Sequence, residues 1–450
     1  MSMAVDMGKH FSVGALLRYV APSVAMMIFM SIYSVVDGFF VSNFVSSTAL
    51  AAVNLTFPIV LILGTIGYMM GTGGSALVAK TLGEGDPVRA NQLFSLLVYV
   101  SIGAGVLFSA LGLICLRPLL AALGAQGELL DLCMTYGLVL MGGLVFDVLQ
   151  YSFQSLVMTA GKPKLGMWFT VAAGVTNIVL DWLFIAVLGF GIAGAAWATV
   201  AGCAVGGVGP LLYFARPNSS LLRLGRARAD WRALGKAAAN GSSEMVANLS
   251  LSLVSTVYNV QLLRLLGEGG VAAYGVIMYV GFVFLGVFLG YSVGCAPLMS
   301  YQFGAKNQLE MRSLFRKSLG IVGALGVVMF AATRLLAHPV SALFVGYDAQ
   351  LMELTEHAFA LYSLAFLIMG FNVYGSSLFT SLNNGLVSAL ISFLRSFVFE
   401  VGAVLLLPAL LGPDGVWISV SVAEVAALAI AVFFVVWLGP KYGLLPDREW

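Results

Sequence analysis

Charged residues are scarce in this sequence. Only 9% of its 450 residues are Asp, Glu, Lys or Arg, whereas a soluble globular chain carries roughly a quarter. The 22 basic and 20 acidic residues nearly cancel, and a net charge of +2 argues against nucleic acid as a partner. Hydrophobic residues make up 60% of the chain. This composition excludes a soluble domain and indicates a chain embedded in a lipid bilayer.

Cysteine and histidine are also rare. The four cysteines lie far apart and match no metal-ligand or redox spacing. The three histidines lie at the N-terminus or near a loop, unsuited to a buried metal site. The glycine-rich string GTGGSA at 71–76 lacks the Lys-Ser or Lys-Thr of a phosphate-binding loop. The sequence therefore predicts neither an enzyme nor an ATP-driven pump, and it predicts no cofactor.

Long apolar windows recur along the whole chain. A helix of about 20 such residues crosses a hydrocarbon core of about 30 Å. Glycine, proline and charged residues divide the windows into twelve spans. We therefore predict an all-α polytopic membrane protein with transmembrane helices near 13–43, 48–80, 91–115, 131–158, 165–188, 191–214, 235–264, 271–300, 313–334, 354–381, 386–411 and 415–438.

Lysine and arginine are distributed unevenly between the two sides of this layout. The termini and the even-numbered loops carry all of them except Arg117, Arg264 and Arg334 on the other side and Arg395 inside a span. The most basic loop is the connector, residues 216–236. The positive-inside rule then predicts that both termini and the connector are cytoplasmic.

An internal repeat divides the chain into two halves. Residues 71–94 align without gaps with residues 292–315, so that Gly83 falls on Gly304 and Phe94 on Phe315. We predict two pseudo-symmetric six-helix lobes, residues 1–234 and 235–450. Because six is even, both lobes enter the membrane from the same side and form a parallel repeat. A cleft between such lobes can open to either face in turn.

Six acidic residues lie well inside the predicted spans, away from the first few residues at each end. An ionisable side chain in hydrocarbon costs at least a few kcal/mol, so each needs a partner, a cavity or a function. At about 1.5 Å per residue, Asp37, Asp181 and Thr199 would lie roughly 9–12 Å below the outer surface. They can therefore meet at one level. The six acids are Asp37, Asp147, Asp181, Glu244, Glu400 and Glu424.

Two further polar residues lie on the same helix faces as Asp37 and Asp181. Asn177 lies one turn before Asp181, and Tyr33 lies one turn before Asp37. Two carboxylates in a medium of low dielectric constant repel each other, and a shared proton or a bound Na⁺ would relieve that repulsion. We predict an ion-coupling cluster here. The alternative is that Asp181 caps a kink or hydrogen-bonds to neighbouring backbone.

The remaining polar residues inside the spans allow more than one interpretation. Glu244 and Arg395 lie at similar depths and could form an ion pair in the C-terminal lobe. Glu400 has no obvious partner and is expected to face a cavity. Two interpretations stay open for the others, which either line a cavity for cationic cargo or form interhelical hydrogen bonds. These are Asp147, Gln150 and Glu424.

The order of these motifs resembles that of multidrug and toxic compound extrusion (MATE) transporters. The chain resembles the bacterial branch that includes the DNA-damage-inducible and staphylococcal-type exporters, and the resemblance covers essentially the whole chain. It rests on several segments. Residues 21–58 resemble the first two helices of the family, and residues 81–93 and 302–315 resemble its two paired loops. Residues 174–184 resemble its fifth helix, and residues 191–199 resemble the start of its sixth.

The resemblance implies roles for individual residues. In the family, the positions that match Asp37, Asn177, Asp181 and Thr199 form a site for protons or Na⁺, with the Tyr33 position beside it. These are the residues that the depth estimate places together. A Na⁺ at this site is the only metal ion that the resemblance implies.

The resemblance is less complete in the second half. Glu244 matches a Glu in the seventh helix of Na⁺-coupled relatives. Those relatives also use an acid in the tenth helix, and residues 361–382 contain none. The resemblance therefore does not extend to a cation site in the C-terminal lobe.

The residues and the resemblance together imply a secondary active exporter of the bacterial inner membrane, acting as a monomer. We expect the cargo to be amphipathic small-molecule cations, exchanged for H⁺ or Na⁺ by alternating access. Two alternatives stay open. A lipid-linked oligosaccharide flippase of the same superfamily would line its cavity with several cations. A membrane-embedded transferase would need a metal or acid–base cluster in its loops.

Overall fold

The computed structural model describes residues 6–446, and every regular element in this range is helical. The helices are numbered in chain order. Helices α1 to α6 form the N-terminal lobe and have the bounds Val13–Phe44, Ser47–Gly83, Pro87–Ala122, Gly127–Thr159, Pro163–Asp181 and Gly191–Ala215.

The C-terminal lobe consists of helices α7 to α13. A short 3₁₀ segment, Ser363–Ala365, joins α9 to α10 within one span, and α11 and α12 likewise belong to one span. The bounds of α7 to α13 are Trp231–Gly304, Gln308–Val345, Ala349–Tyr362, Phe366–Ser381, Gly385–Phe393, Val401–Leu411 and Pro413–Leu438.

Helix α7 comprises two membrane spans. It runs for 74 residues, and an unbroken helix of that length would measure about 110 Å, far more than a bilayer. Gly267 breaks it, with φ 65° and ψ −155°, a conformation open almost only to glycine. Eleven helical segments of residues 6–446 are long and apolar enough to cross a membrane. The break in α7 raises this to twelve crossings and confirms the predicted fold.

Several helices extend beyond the predicted spans because polar caps start them outside the apolar stretch. Asp86 accepts a hydrogen bond from the backbone N–H of Arg89 at 2.9 Å, and Pro87 is the first residue of α3. This helix begins four residues before the predicted span 91–115. Hydropathy detects the hydrocarbon-crossing part of a helix and misses its polar ends.

Two spans contain a π-helical segment. Residues Trp182–Val187 continue α5, and residues Leu394–Glu400 join α11 to α12. Such turns insert an extra residue per turn and occur frequently at functional sites. The first begins directly after Asp181, and the second contains both Arg395 and Glu400. Nothing in the sequence pattern predicts either segment.

Each lobe has its own apolar core. Rings of Phe94, Phe153 and Phe214 pack together in the N-terminal lobe, with centroid distances of 5.0 and 5.9 Å to Phe214. In the C-terminal lobe, the fully buried Phe366 and Trp417 belong to one cluster. A further apolar cluster crosses between the lobes, because Leu16, Tyr19 and Val20 of α1 pack with Tyr291 and Leu298 of α7.

The lobes contact each other through equivalent glycines. A Cβ atom added to Gly83 would collide with the carbonyl oxygen of Tyr301, and one added to Gly304 would collide with that of Lys80. The repeat makes Gly83 and Gly304 equivalent, and two equivalent residues meet in this way next to a two-fold axis. The contact supports the parallel two-lobe arrangement.

Hydrogen bonds between the lobes follow the same symmetry. The Ser23 hydroxyl in α1 donates to the Gly290 carbonyl in the second part of α7 at 2.8 Å. The Asn240 amide in the first part of α7 lies 3.5 Å from the Gly73 carbonyl in α2. All these contacts lie in the half of the bundle nearer the connector, and this side is called the connector face below.

Candidate functional sites in the two lobes

Asp37 and Asp181 meet in the N-terminal lobe. They come from α1 and from the last residue of α5, and they lie within electrostatic range of each other. Asp181 is completely buried. Both of its carboxylate oxygens, and the Oδ1 atom of Asp37, have no hydrogen-bond partner among the described residues. Buried carboxylates without partners are costly, so this pair is suited to hold a proton or a small cation.

The other predicted members of the cluster lie nearby in sequence or space. Asn177 is 3% exposed and lies one turn from Asp181, and neither its amide nitrogen nor its amide oxygen has a hydrogen-bond partner within the described part of the chain. The Thr199 hydroxyl donates to the Ala195 carbonyl at 3.0 Å, so its oxygen stays available as an acceptor. Four unpartnered oxygens and one hydroxyl oxygen are a donor set that suits Na⁺ as well as a proton.

Tyr136 is a member of this cluster that the sequence reasoning missed. This buried side chain in α4 lies within electrostatic range of both Asp37 and Asp181 and close to Thr199. It precedes Asp147 by about three helical turns, so the two share a face of α4. That spacing of a tyrosine and an acid on one apolar helix is the signal that could have found it.

Asp147 belongs to the same polar region of the N-terminal lobe. Its Oδ1 atom lies 3.7 Å from the Cys203 thiol, and Tyr33 lies within electrostatic range of both Asp147 and Asp37. A Cβ atom on Gly64 would crowd the Asp147 carboxylate, so that glycine makes room for it. Asp147 therefore extends the acid cluster of this lobe.

Gln150 is buried against α6, and its Oε1 atom has no partner among the described residues. A Cβ atom on Gly206 would collide with this side chain. Asp147 and Gln150 do not belong to the lining of the cavity in the other lobe. Both side chains pack against neighbouring helices, Asp147 against Gly64 of α2 and Gln150 against Gly206 of α6.

The C-terminal lobe contains a cavity of about 210 Å³. Apolar residues, tyrosines and many serine and threonine hydroxyls line it. A few lining residues, among them Thr72 and Ser155, come from the N-terminal lobe, so the cavity reaches the boundary between the lobes. Its ionisable lining residues include Glu244, Arg395, Glu400 and Glu424.

Arg395 forms an ion pair with Glu424, and the predicted pair with Glu244 was wrong. Its Nε and Nη2 atoms lie 2.9 and 2.6 Å from Oε1 of Glu424. The Asn372 amide donates to Oε2 of Glu424 at 2.6 Å and to its carbonyl at 2.8 Å. Arg395 and Glu244 line the same cavity, but an estimate of depth along a span does not tell which way a side chain points around the bundle.

Glu244 and Glu400 remain without an ion-pair partner within 4 Å among the described residues. Glu400 lies within electrostatic range of Arg395 and of Tyr258. The Tyr258 and Tyr274 rings stack with centroids 4.9 Å apart. Because Arg395 neutralises Glu424, two acids and several aromatic rings are left to contact whatever enters the cavity.

Metal ligands do not cluster elsewhere in residues 6–446. No group of three or more His, Cys, Asp or Glu side chains there is placed to hold a metal ion. Water, backbone and amide oxygens would have to complete the coordination of any Na⁺ at Asp37 and Asp181.

Twelve membrane crossings in two lobes, with buried acids and a cavity between helices, define a polytopic membrane transporter. A family model described as MatE matches residues 22–183 and 245–404, one match in each lobe. The chain therefore belongs to the MatE family, which confirms the resemblance found in the sequence.

Similar proteins agree with this membership. The multidrug export protein MepA of Staphylococcus haemolyticus (strain JCSC1435) is 23% identical over 94% of this chain and 92% of its own. MepA of Staphylococcus aureus (strain MRSA252) is also 23% identical, with coverage of 94% and 93%.

Solved structures share the fold over nearly the whole chain. A MATE protein in complex with MaL6 has a TM-score of 0.89 at 22% identity, with 96% of both chains covered. A multidrug resistance MATE family transporter in an outward-facing conformation has a TM-score of 0.88 at 24% identity, with 96% of this chain and 98% of that chain covered.

Proposed function

We propose that this protein is a secondary active exporter of amphipathic cations, driven by entry of H⁺ or Na⁺. The observation that carries the proposal is the acid pair of half-buried Asp37 and buried Asp181, in which three of the four carboxylate oxygens have no hydrogen-bond partner among the described residues. A site of this kind is more stable when it holds a cation than when it is empty. The export activity printed for the staphylococcal relatives agrees with it.

The acid pair is the proposed coupling site. Loading it with a proton or Na⁺ removes repulsion between two carboxylates and changes the charge of the N-terminal lobe. A ligand shifts a conformational equilibrium by its difference in affinity for the two states. The π-helical segment Trp182–Val187 lies directly after Asp181, and we propose that loading of the site changes how this segment packs.

The cavity of the C-terminal lobe is the proposed cargo site. Its aromatic and apolar lining suits a bulky hydrophobic body, and Glu244 and Glu400 supply negative charge for one positive centre. Arg395 is its buried cation and is paired with Glu424. A flippase for anionic lipid-linked sugars would need several free cations here, so this alternative is not favoured, and no observation supports a transferase.

Alternating access completes the proposal. We assign the chain to two lobes that move against each other about the contacts near the connector face. These are residues 1–234 and 235–450 as predicted, except that the first four residues of α7, from Trp231, belong with the second lobe. Both termini and the connector are assigned to the cytoplasm of a bacterial cell. The protein would act as a monomer, because one chain already contains both members of the pseudo-two-fold pair.

Transport by the purified protein in proteoliposomes tests the proposal. Uptake of a fluorescent aromatic cation, such as ethidium, is measured with a proton gradient alone, a sodium gradient alone, and neither. We expect uptake against the ethidium gradient with at least one ion gradient and none without. Equal uptake under all three conditions would contradict ion-coupled antiport.

A further inference from the structure

A polar pocket opens on the connector face, away from both sites described above. It lies where α2 ends and where α3 and α7 begin, and its volume is about 470 Å³. Two apolar residues, Leu77 and Leu93, form part of its lining. Its charged lining residues are Lys80, Glu84, Arg89, Asp230, Arg232 and Lys236.

The pocket carries a surplus of positive charge. Two of its four cations are loosely paired, Lys80 with Glu84 at 3.6 Å and Arg89 with Asp230 at 3.8 Å. Asp230 is already engaged in capping α7, since its Oδ1 atom accepts from the Ala233 backbone N–H at 2.9 Å. Four cations against two acids attract an anion into the pocket.

Two of the cations have no acidic partner. Arg232 and Lys236 lie on the first two turns of α7, one turn apart, and both are exposed. Neither has an acidic group within 4 Å among the described residues. They are the groups most available to bind an anion.

Exposed apolar side chains flank the pocket. Trp231 is 81% exposed and Val88 is 67% exposed, and each lies in the first turn of a membrane-spanning helix. Tryptophan in this position is typical of the membrane–water interface. A ligand that fits both features has an anionic head and hydrocarbon tails.

We propose that this pocket binds the phosphate headgroup of an anionic phospholipid of the surrounding leaflet, of the phosphatidylglycerol or cardiolipin class. Basic pockets between transmembrane helices are known sites for such headgroups. The proposal is independent of the transport function, because none of its residues belongs to the acid cluster or the cavity.

Binding has a consequence for the two lobes. Lys80 and Arg89 belong to the N-terminal lobe, whereas Arg232 and Lys236 belong to the C-terminal lobe. These like charges meet across the lobe boundary, close to the points where Gly83 and Gly304 each lie against the backbone of the other lobe. A bound phosphate relieves their repulsion and so stabilises the arrangement in which the lobes touch at the connector face.

Thermal unfolding of the full chain in detergent tests the proposal. The unfolding temperature is measured with added phosphatidylcholine, phosphatidylglycerol, cardiolipin or inorganic phosphate. We expect the two anionic lipids to raise it above the phosphatidylcholine value, and inorganic phosphate to leave it unchanged. Equal protection by inorganic phosphate would assign the pocket to the free ion and overturn the lipid proposal. Equal protection by phosphatidylcholine would overturn any anion site.

A matched pair of variants locates the effect. Arg232→Gln/Lys236→Gln should lose at least half of the protection by anionic lipid and should retain one cardiolipin fewer in native mass spectrometry. The variant is expected to fold, because positive charge in the first turns of a helix is mildly unfavourable. Arg226→Gln/Arg228→Gln removes the same charge from the exposed connector outside the pocket and should behave as wild type. Equal losses in both variants would mean general surface attraction and overturn the proposal.

Discussion

Arg395 and Glu424 form the buried ion pair of the C-terminal lobe, with two guanidinium nitrogens 2.9 and 2.6 Å from a single carboxylate oxygen. Asn372 occupies the other oxygen at 2.6 Å. This closed arrangement explains why Glu424 is almost fully buried, whereas Glu244 and Glu400 border the cavity without an ion-pair partner. We therefore propose that Glu424 has a structural role and that Glu244 and Glu400 contact the cargo.

The ion pair predicts a loss of stability on removal of one partner. Glu424→Gln leaves Arg395 with only the more distant Glu400 to balance its charge, and should lower the free energy of unfolding by about 3 kcal/mol. Unfolding in detergent measures this effect. Arg395→Gln/Glu424→Gln should recover much of the loss. An equal loss in Glu244→Gln, where no ion pair is broken, would contradict the assignment.

The two remaining acids predict an effect on cargo binding. Glu244→Gln and Glu400→Gln should each raise the Kd for ethidium about tenfold, equal to about 1.4 kcal/mol, because each removes a negative charge from an apolar cavity. Fluorescence titration measures the Kd. Glu128→Gln, an exposed acid at the start of α4, should leave it unchanged. If the double variant Glu244→Gln/Glu400→Gln binds ethidium with a Kd within about twofold of the wild-type value, the cargo site lies elsewhere.

Tyr136 is predicted to act in the ion-coupling cluster and not in cargo binding. Tyr136→Phe removes one hydroxyl beside Asp37, Asp181 and Thr199. We expect gradient-driven transport to fall several-fold, because the site loses a neighbouring hydroxyl group worth about 1 kcal/mol, while the Kd for ethidium stays the same. Tyr347→Phe, at a residue 83% exposed, is the control for loss of a hydroxyl. Normal transport by Tyr136→Phe would remove this residue from the cluster.

The close contact of Gly83 with the other lobe predicts that a Gly→Ala substitution lowers the unfolding temperature at residue 83 but not at residue 320. Gly83→Ala places a methyl group against backbone that cannot move aside without separating the lobes, and should lower the unfolding temperature. Gly320→Ala lies in a helix where an added Cβ meets nothing within 4 Å. It should leave the unfolding temperature equal or higher, since Ala is favoured over Gly in helices by about 1 kcal/mol. Equal shifts at both sites would argue against the close contact.

Much of the fold was predictable because the signals are local. Spans of apolar residues and the repeat gave the twelve crossings and the two lobes, and residue counting placed Asp37 and Asp181 at one level. The direction of a side chain around a bundle is set by packing between distant segments. For that reason the partner of Arg395 was predicted incorrectly, and Tyr136 was missed.

The π-helical segments at Trp182–Val187 and Leu394–Glu400 also lay beyond the sequence. An extra residue in a turn changes neither composition nor hydropathy, and it turns every later side chain of the span to a new direction. The extra residue hardly changes the depth of a side chain in the membrane. It does change which side chains meet.

The central claim is that Asp37 and Asp181 couple ion entry to export. It is tested most directly by ethidium transport in proteoliposomes by Asp37→Asn and Asp181→Asn under the gradient that drives the wild type, with the exposed Asp131→Asn as control. Each cluster variant should bind ethidium with the wild-type Kd and show no gradient-driven transport, while the control transports normally. Full gradient-driven transport by either cluster variant would contradict the account.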